Sequence, residues 1–266
     1  MSVLLQISDP HFGTEQQPVV AALVQFAQQQ RPCLLVLSGD ITQRARPAQF
    51  NAARAFMDRL GAPMLALPGN HDIPLFDLWT RLRRPYARHL AAFGPALEPV
   101  HASPELMVVC VNTTRAWRHK NGEVSALQID RVARVLATAS AAQLRVVVVH
   151  QPAAVPRAEE VPNQLRGHAA ALQRWAAAGA DIVMGGHIHL PYVMQVTNLT
   201  ARPLWVVQAG TAVSSRVRQG VPNSVNLLRW GAGATPGCCL VEQWDFSAAE
   251  QAFVRAAVTE VRPARG

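Results

Sequence analysis

Leu67-Pro68-Gly69-Asn70-His71-Asp72 closes a short apolar run, Pro63 to Leu67, that reads as a buried strand. Pro68 and Gly69 end that strand and turn the chain. Three polar groups follow the turn. Asn70 offers an amide carbonyl, His71 an imidazole, and Asp72 a carboxylate suited to hold that imidazole in one tautomer and orientation. One such turn decides little, but the arrangement recurs. Asp9-Pro10-His11 follows Val3 to Ile7, and Gly39-Asp40 follows Cys33 to Leu37. His150 follows Val146 to Val149, and Gly186-His187-Ile188-His189 follows Asp181 to Met184. Five times an apolar strand ends, and each time a metal-type donor comes next.

The segments between these strands have helical period. Pro18 to Gln30 carries Val20, Leu23, Val24 and Ala27 at helical spacing, and Pro47 to Leu60 opens with proline in an acceptable first-turn position. Strand, helix, strand, helix, strand is the order of a parallel sheet with crossover helices. Such sheets bind ligands beyond the carboxyl ends of their strands, where Asp9, His11, Asp40, Asn70 and His71 all fall. Phe76 to Phe93 reads as a helix rich in arginine (Arg81, Arg83, Arg84, Arg88), either a solvated face or a cap bordering the site. Met107 to Asn112 is a strand, Thr113 to Gly122 a polar loop, and Ser125 an N-cap for a helix to Ala139. Leu144 to Val149 reads as a fully buried strand, followed by a helix from beyond Pro162 to Ala178 and a strand from Asp181.

From Tyr192 the character changes. Tyr192 to Val196, Leu204 to Gln208, Val225 to Leu228 and Cys239 to Trp244 are short strands between turns bearing glycine, proline and asparagine. The expectation is a second, mostly antiparallel sheet packed on the first. Gln251 to Thr259 suits a last strand or a helix.

The chain has 266 residues, half of them hydrophobic, which suits a single α/β domain with a sizeable core. The formal net charge of +8 draws anionic substrates or surfaces. It is not gathered into a lysine-rich tail, so no dedicated nucleic-acid partner is expected. The four cysteines lack the paired spacing of a thiolate zinc site and read as reduced thiols of a cytoplasmic protein. No basic stretch leads into an apolar leader, and no apolar run reaches the roughly 20 residues that span a bilayer. A homodimer is compatible with the sequence, which does not set the oligomeric state.

The candidate donors are Asp9, His11, Asp40, Asn70, His150, His187 and His189. Oxygen and imidazole together suit zinc, manganese or iron better than calcium or a soft metal. Seven donors are too many for one ion and natural for two, with a carboxylate such as Asp40 able to bridge them. Two ions side by side suit phosphoryl chemistry. Further along, Gly210 with Thr211, Ser214 and Ser215 forms a hydroxyl-rich turn, beside which Arg216 and Arg218 can present guanidinium groups to phosphate oxygens. Arg115, in the loop after Asn112, is the other candidate for that contact. His89, His101, His119 and His168 lie outside such turns and read as structural or peripheral.

Asp9-Pro10-His11, Gly39-Asp40, Gly69-Asn70-His71-Asp72, His150 and Gly186-His187-Ile188-His189 together resemble, in order and separation, the calcineurin-like metallophosphoesterases. The resemblance covers residues 3 to about 245. It implies a four-layer αββα sandwich, two central mixed sheets flanked by helices; the chain reads as one domain over 1–266, with the segment 73–95 open to serve as a small cap. It implies two divalent or trivalent ions (manganese, iron or zinc), one held by Asp9, His11, Asp40 and His189 and the other by Asp40, Asn70, His150 and His187. It further implies in-line attack on a small anionic phosphodiester by a metal-bridging hydroxide, with His71 as proton donor supported by Asp72. Within the family, Gly39-Asp40-Ile41-Thr42, Leu67 to Asp72, Asn112 with Gly122 and Gln128, and His150-Gln151-Pro152 resemble bacterial class III cyclic-nucleotide phosphodiesterases and their glycerophosphodiesterase relatives. Two alternatives stand beside that reading: a UDP-2,3-diacylglucosamine pyrophosphohydrolase-like enzyme using Phe76 to Phe93 as an acyl-chain cap, and a non-catalytic metal-binding scaffold.

Overall fold

A strand apolar along its whole length has two faces to bury, so it must lie between two layers. The computed structural model, which describes residues 1–231 and 237–264, meets that demand with two sheets packed face to face and helices outside each. The first sheet begins with the parallel strands β1 (Ser2–Ile7), β2 (Leu34–Ser38) and β3 (Met64–Leu67). Their crossovers are α1 (Gln17–Gln30) and α2 (Pro47–Arg59). Both helices carry proline in the first turn, where its missing N–H costs no helix bond.

The segment expected as one helix over Phe76 to Phe93 is broken at Pro85 into α3 (Leu78–Arg83) and α4 (Ala87–Phe93). Proline's ring and missing donor forbid a continuous helix there. Asp77 caps α3 by accepting from the backbone of Thr80 at 3.0 Å. β4 (Val100–Ala102) and β5 (Leu106–Cys110) open the second sheet. α5 (Ala126–Leu136) starts at Ser125, which caps it reciprocally with Gln128. It buries Ile129, Val132, Ala133 and Leu136, the single stripe expected of a surface helix. β6 (Leu144–Val148), α6 (His168–Ala177) and β7 (Ile182–Gly185) follow. α6 begins several residues beyond Pro162, because that proline sits in a separate short 3-10 segment, Ala158–Asn163.

The C-terminal strands do not form a sheet of their own, contrary to the sequence expectation. β8 (Tyr192–Val196) and β9 (Leu204–Gln208) complete the second sheet, whose order is β4-β5-β6-β7-β9-β8, with β9 parallel to β7. β10 (Ser224–Trp230), β11 (Cys239–Ser247) and β12 (Ala252–Val261) extend the first, β10 antiparallel to β1 and each of the others antiparallel to its neighbour, giving β12-β11-β10-β1-β2-β3. The segment over Gln251 to Thr259 is thus a strand. Between the sheets lie Leu4, Leu34, Val36 and Leu67 from one side and Val108, Val146, Val148 and Met184 from the other. Outside the first sheet Leu5, Ile7 and Leu37 pack on Leu23, Phe26 and Phe56. Outside the second, Val147 and Val183 pack on Val132, Leu172 and Trp175. The architecture is therefore the αββα sandwich. The cysteines are all free, with Cys110, Cys238 and Cys239 buried and Cys33 exposed. Among the described residues, no helix is long and apolar enough to cross a membrane.

Candidate metal centre

The loops leaving β1, β2, β3, β6 and β7 are stitched together by their own backbones. Asp9 N–H donates to the Gly39 carbonyl at 3.1 Å, and Gly186 N–H to the His150 carbonyl at 2.8 Å. The strands stop, and the chain turns sharply at each junction. Asp9, His11, Asp40, His187 and His189 all take positive φ, between 42° and 74°. L-residues rarely enter that region, and strain of this kind persists where the surrounding fold over-determines it, often at functional sites. Gly69 is required for another reason. A Cβ there would collide with the backbone nitrogen and carboxylate of Asp40.

The result is a run of donors in contact. Those of Asp9, His11 and His189 lie within 4.8 Å of one another, as do those of Asp40, His150 and His187. Asp40 joins the two groups, with Oδ2 3.8 Å from His11 Nε2 and Oδ1 3.3 Å from His150 Nε2. His11 Nε2 faces His189 Nε2 at 3.1 Å. His150 Nδ1 donates to the Ser38 carbonyl at 3.0 Å and His189 Nδ1 to the Arg216 carbonyl at 2.6 Å, so each turns Nε2 toward the cluster. Asp9 is steadied by the Ser8 hydroxyl at 2.6 Å and by His187 N–H at 2.9 Å.

Charge is concentrated here in spite of burial. Burial raises the Asp9 carboxyl, but the hydrogen bond and charge of His189 outweigh it and take the group down to about 2. Asp40 is likewise held well below the carboxylate range, with His150 overcoming burial. Burial lowers His11 and His187 to about 3, so both are neutral imidazoles, the form that ligates. His150 is raised to about 9, because the Asp40 charge and hydrogen bond outweigh its desolvation.

These residues fit metal ions. Asn70 Oδ1 and both ring nitrogens of His187 are buried without hydrogen-bond partners. Buried polar atoms are otherwise nearly always paired, and coordination would satisfy them together. Carboxylate, amide and imidazole donors with no thiolate match zinc, manganese or iron.

His71 stands at the rim of this cluster. Its Nδ1 donates to the Gln43 carbonyl at 3.0 Å, leaving Nε2 as an acceptor 3.3 Å from Arg216 Nη1. Its backbone N–H donates to Asp40 Oδ1 at 2.8 Å. The sequence expectation that Asp72 orients this imidazole is corrected here. Asp72 accepts instead from Ile41 N–H at 3.0 Å, from Thr42 N–H and hydroxyl at 2.8 Å each, and from Gly69 N–H at 2.8 Å. A carboxylate engaged by four donors locks the β2 and β3 loops together.

Arg216 enters the site through His71 and Gln43 Oε1, the latter at 3.0 Å. Arg218 borders the same groove but is bound to Glu160 Oε1 at 2.7 Å. Arg115 does not reach it. Its guanidinium is consumed by the Asn112 and Thr114 carbonyls and by Gln128 Oε1, at 3.1, 2.9 and 2.7 Å, beside another cavity.

Two cavities meet at His71. A groove of about 610 Å³ runs over Asp40, His187, His189 and Arg216. A cavity of about 360 Å³ lies on the other side, walled by Ile73, Leu75 and Phe76 with Arg44 and Arg88. Asn70, His71 and His119 line both. His119 is the residue that sequence reasoning passed over. Its only local signal is a polar loop shared with Trp117 and Lys120, since no apolar strand directly precedes it. Gln43 gave no signal either, because it acts on His71 through its backbone carbonyl.

The comparisons agree with this geometry. A model of the calcineurin-like phosphoesterases matches residues 2–191. A cAMP/cGMP dual specificity phosphodiesterase of Mycobacterium tuberculosis is 25% identical over 202 residues, 70% of this chain and 61% of that protein. A glycerophosphodiester phosphodiesterase of Enterobacter lignolyticus is 35% identical over 81 residues, 26% of this chain and 29% of that protein. The matches thus span less than two thirds of the length of these curated relatives. Among solved structures, a dimetal phosphatase from Danio rerio superposes with a TM-score of 0.68 at 12% identity, covering 99% of each chain, a likeness of fold. Since the model match runs through all five strand-end motifs and covers well over half of the sequence, the chain belongs to the calcineurin-like phosphoesterase family.

Proposed function

We propose that this protein is a dinuclear metal-dependent phosphodiesterase acting on small anionic phosphodiesters. The observation that carries the reading is Asp40, whose two carboxylate oxygens face different histidine groups at 3.8 and 3.3 Å. One ion would be held by Asp9, His11, Asp40 and His189, the other by Asp40, Asn70, His150 and His187. Manganese, iron and zinc all suit this donor set. When bound, such a pair polarises phosphorus–oxygen bonds and makes water acidic enough to supply the nucleophile.

The remaining work falls to the chain's own groups. Gln43 fixes the His71 tautomer, so that Nε2 faces the groove and, once protonated, delivers a proton to the leaving oxygen. Arg216, beside Nε2, offers N–H groups to a phosphate oxygen arriving there. The cap over residues 73–95 meets the site through Ile73, Leu75, Phe76, Asp77 and Arg88 in the wall of the smaller cavity, whereas α3 lines neither cavity. A diester is favoured because its second substituent needs a compartment, and the cavity across His71 supplies one. The phosphodiesterase names of the relatives support the same class. The reading includes a cytoplasmic location and no nucleic-acid partner, and is compatible with a homodimer.

One observation favours a second reading, a pyrophosphohydrolase of UDP-2,3-diacylglucosamine type: α3 exposes apolar side chains that acyl chains could cover. A non-catalytic scaffold is disfavoured by the complete donor set. The test is hydrolysis of bis(p-nitrophenyl) phosphate before and after chelation, and after manganese is restored, with metal content measured alongside. Loss and recovery of turnover support the proposal. Turnover untouched by thorough metal removal sinks it, and two retained equivalents of metal without turnover of any phosphomonoester or diester support the scaffold.

A further inference from the structure

Phe76, Leu78, Trp79 and Leu82 are between 63% and 79% exposed, and Leu75 beside them is 42% exposed. α3 buries none of its residues. Large apolar side chains exposed singly are ordinary, but five within eight residues form a patch that needs a partner. Trp117, 75% exposed, belongs to the adjoining loop, which Arg81 ties to α3 by donating to the Arg118 carbonyl at 3.0 Å.

The patch is edged by cations. Arg83 lies over the Trp79 ring at 4.6 Å and Arg44 over Phe76 at 5.6 Å. Among the described residues, Arg44, Arg46, Arg81, Arg83 and Arg84 form no ion pair with a carboxylate. The one acidic side chain of the segment, Asp77, is taken by Arg88 at 2.6 Å. Aromatic and leucine side chains mixed with unpaired arginines match an anionic bilayer interface, where apolar tips enter the acyl boundary and guanidinium groups meet phosphate. A second copy of the chain is a poor occupant. A two-fold contact sets the same patch against itself, bringing these arginines face to face.

Phe76 belongs to both the patch and the wall of the cavity that ends at His71. We infer that α3 and its flanks dock on an anionic lipid surface, so that the apolar cavity opens toward the bilayer and His71 is presented to a lipid-anchored phosphodiester. The substrate part of this inference rests on the phosphodiesterase reading; the docking part does not.

The experiment is co-sedimentation of the metal-loaded protein with vesicles of phosphatidylglycerol and phosphatidylcholine, and with phosphatidylcholine alone. Wild type, Trp79→Ser, Leu82→Glu and the double variant Arg83→Glu/Arg84→Glu are compared. Hydrolysis of bis(p-nitrophenyl) phosphate in solution reports that each variant is folded, because none of these side chains lines either cavity. Wild type is expected to pellet with the anionic vesicles and to be released by salt. Each lost arginine weakens binding roughly fivefold, and Leu82→Glu weakens it at least tenfold, with solution turnover unchanged. Vesicle binding that is absent, or that all three variants retain, overturns the inference. So does a concentration-dependent dimer that Leu82→Glu dissolves in a protein that ignores vesicles. If vesicles bind through α3 while no diester is hydrolysed, docking stands and the phosphodiesterase reading falls.

Discussion

The Nδ1 of His71 lies 3.0 Å from the backbone carbonyl oxygen of Gln43, while Asp72, its neighbour in sequence, is bound to other groups. A carbonyl can only accept, so it fixes the proton on Nδ1 and directs Nε2 into the groove. The proposed proton donor is thus oriented by a neutral group on the β2 loop, and its position depends on how that loop is tied to β3. His71→Gln keeps a polar side chain but cannot shuttle a proton. It should lower kcat on bis(p-nitrophenyl) phosphate roughly a hundred- to ten-thousandfold, with metal content unchanged by elemental analysis. A wild-type rate in this variant would remove His71 from the chemistry.

The arginines near the site divide by what already occupies their guanidinium groups. Arg216 faces His71 across the groove, whereas Arg115 is held by two carbonyls and Gln128. Arg216→Ala should cost roughly ten- to a hundredfold in kcat/KM, the equivalent of a charged hydrogen bond of about 1.5–3 kcal/mol. Arg115→Ala should leave steady-state kinetics near wild type. Equal effects from the two substitutions would refute the division.

Asp40 joins the two donor groups, so its loss should not be confined to one ion. Asp40→Ala is expected to lower the content of both metals in purified protein and to abolish detectable turnover. A variant that keeps two equivalents would show that the carboxylate does not bridge.

Gly69 tests the packing beneath the site. Ala at this position must displace the Asp40 backbone, so Gly69→Ala should lower stability by about 1–3 kcal/mol, as overpacked sites do. It should also weaken metal retention. A shift in the urea midpoint together with reduced metal per chain is the expected pair of results; an unchanged midpoint would mean that the loop yields freely.

His89 provides a pH signature away from the donors. It is buried against Phe50 and Phe93, and desolvation lowers it to about 4, with the Ala66 carbonyl pulling weakly the other way. Its folded value lies below the unfolded one, so the fold favours the neutral ring. That contribution is complete above the unfolded pKa of about 6.5 and is lost as pH falls toward 4. Between pH 7 and pH 5 the loss is about 2 kcal/mol. His89→Met should therefore flatten the dependence of unfolding free energy on pH over this range, measured by urea titration. Parallel wild-type and variant curves would exclude the assignment.

Much of the site is legible in the sequence. The donors at five strand ends are carried by residue identity, and a strand end is a local event that apolar runs, proline and glycine mark directly. The geometry brings Asp9, His11, Asp40, His150, His187 and His189 into contact. Sheet membership was not legible. β2, β5 and β9 are buried on both faces or nearly so, and a strand without alternation carries no sign of which layer it joins. Only tertiary packing sent β8 and β9 to one sheet and β10 to β12 to the other.

The same limit applies to single residues. Gln43 acts through a carbonyl that every residue type possesses, so nothing in its side chain announces the role. Arg115 and Arg216 look alike in sequence, and what separates them is whether other acceptors reach the guanidinium first. The sequence by itself determined the chemistry available, because ligand atoms belong to residue types. The tertiary structure alone decided who orients His71 and which arginine meets the groove, because those depend on distances between segments far apart in the chain.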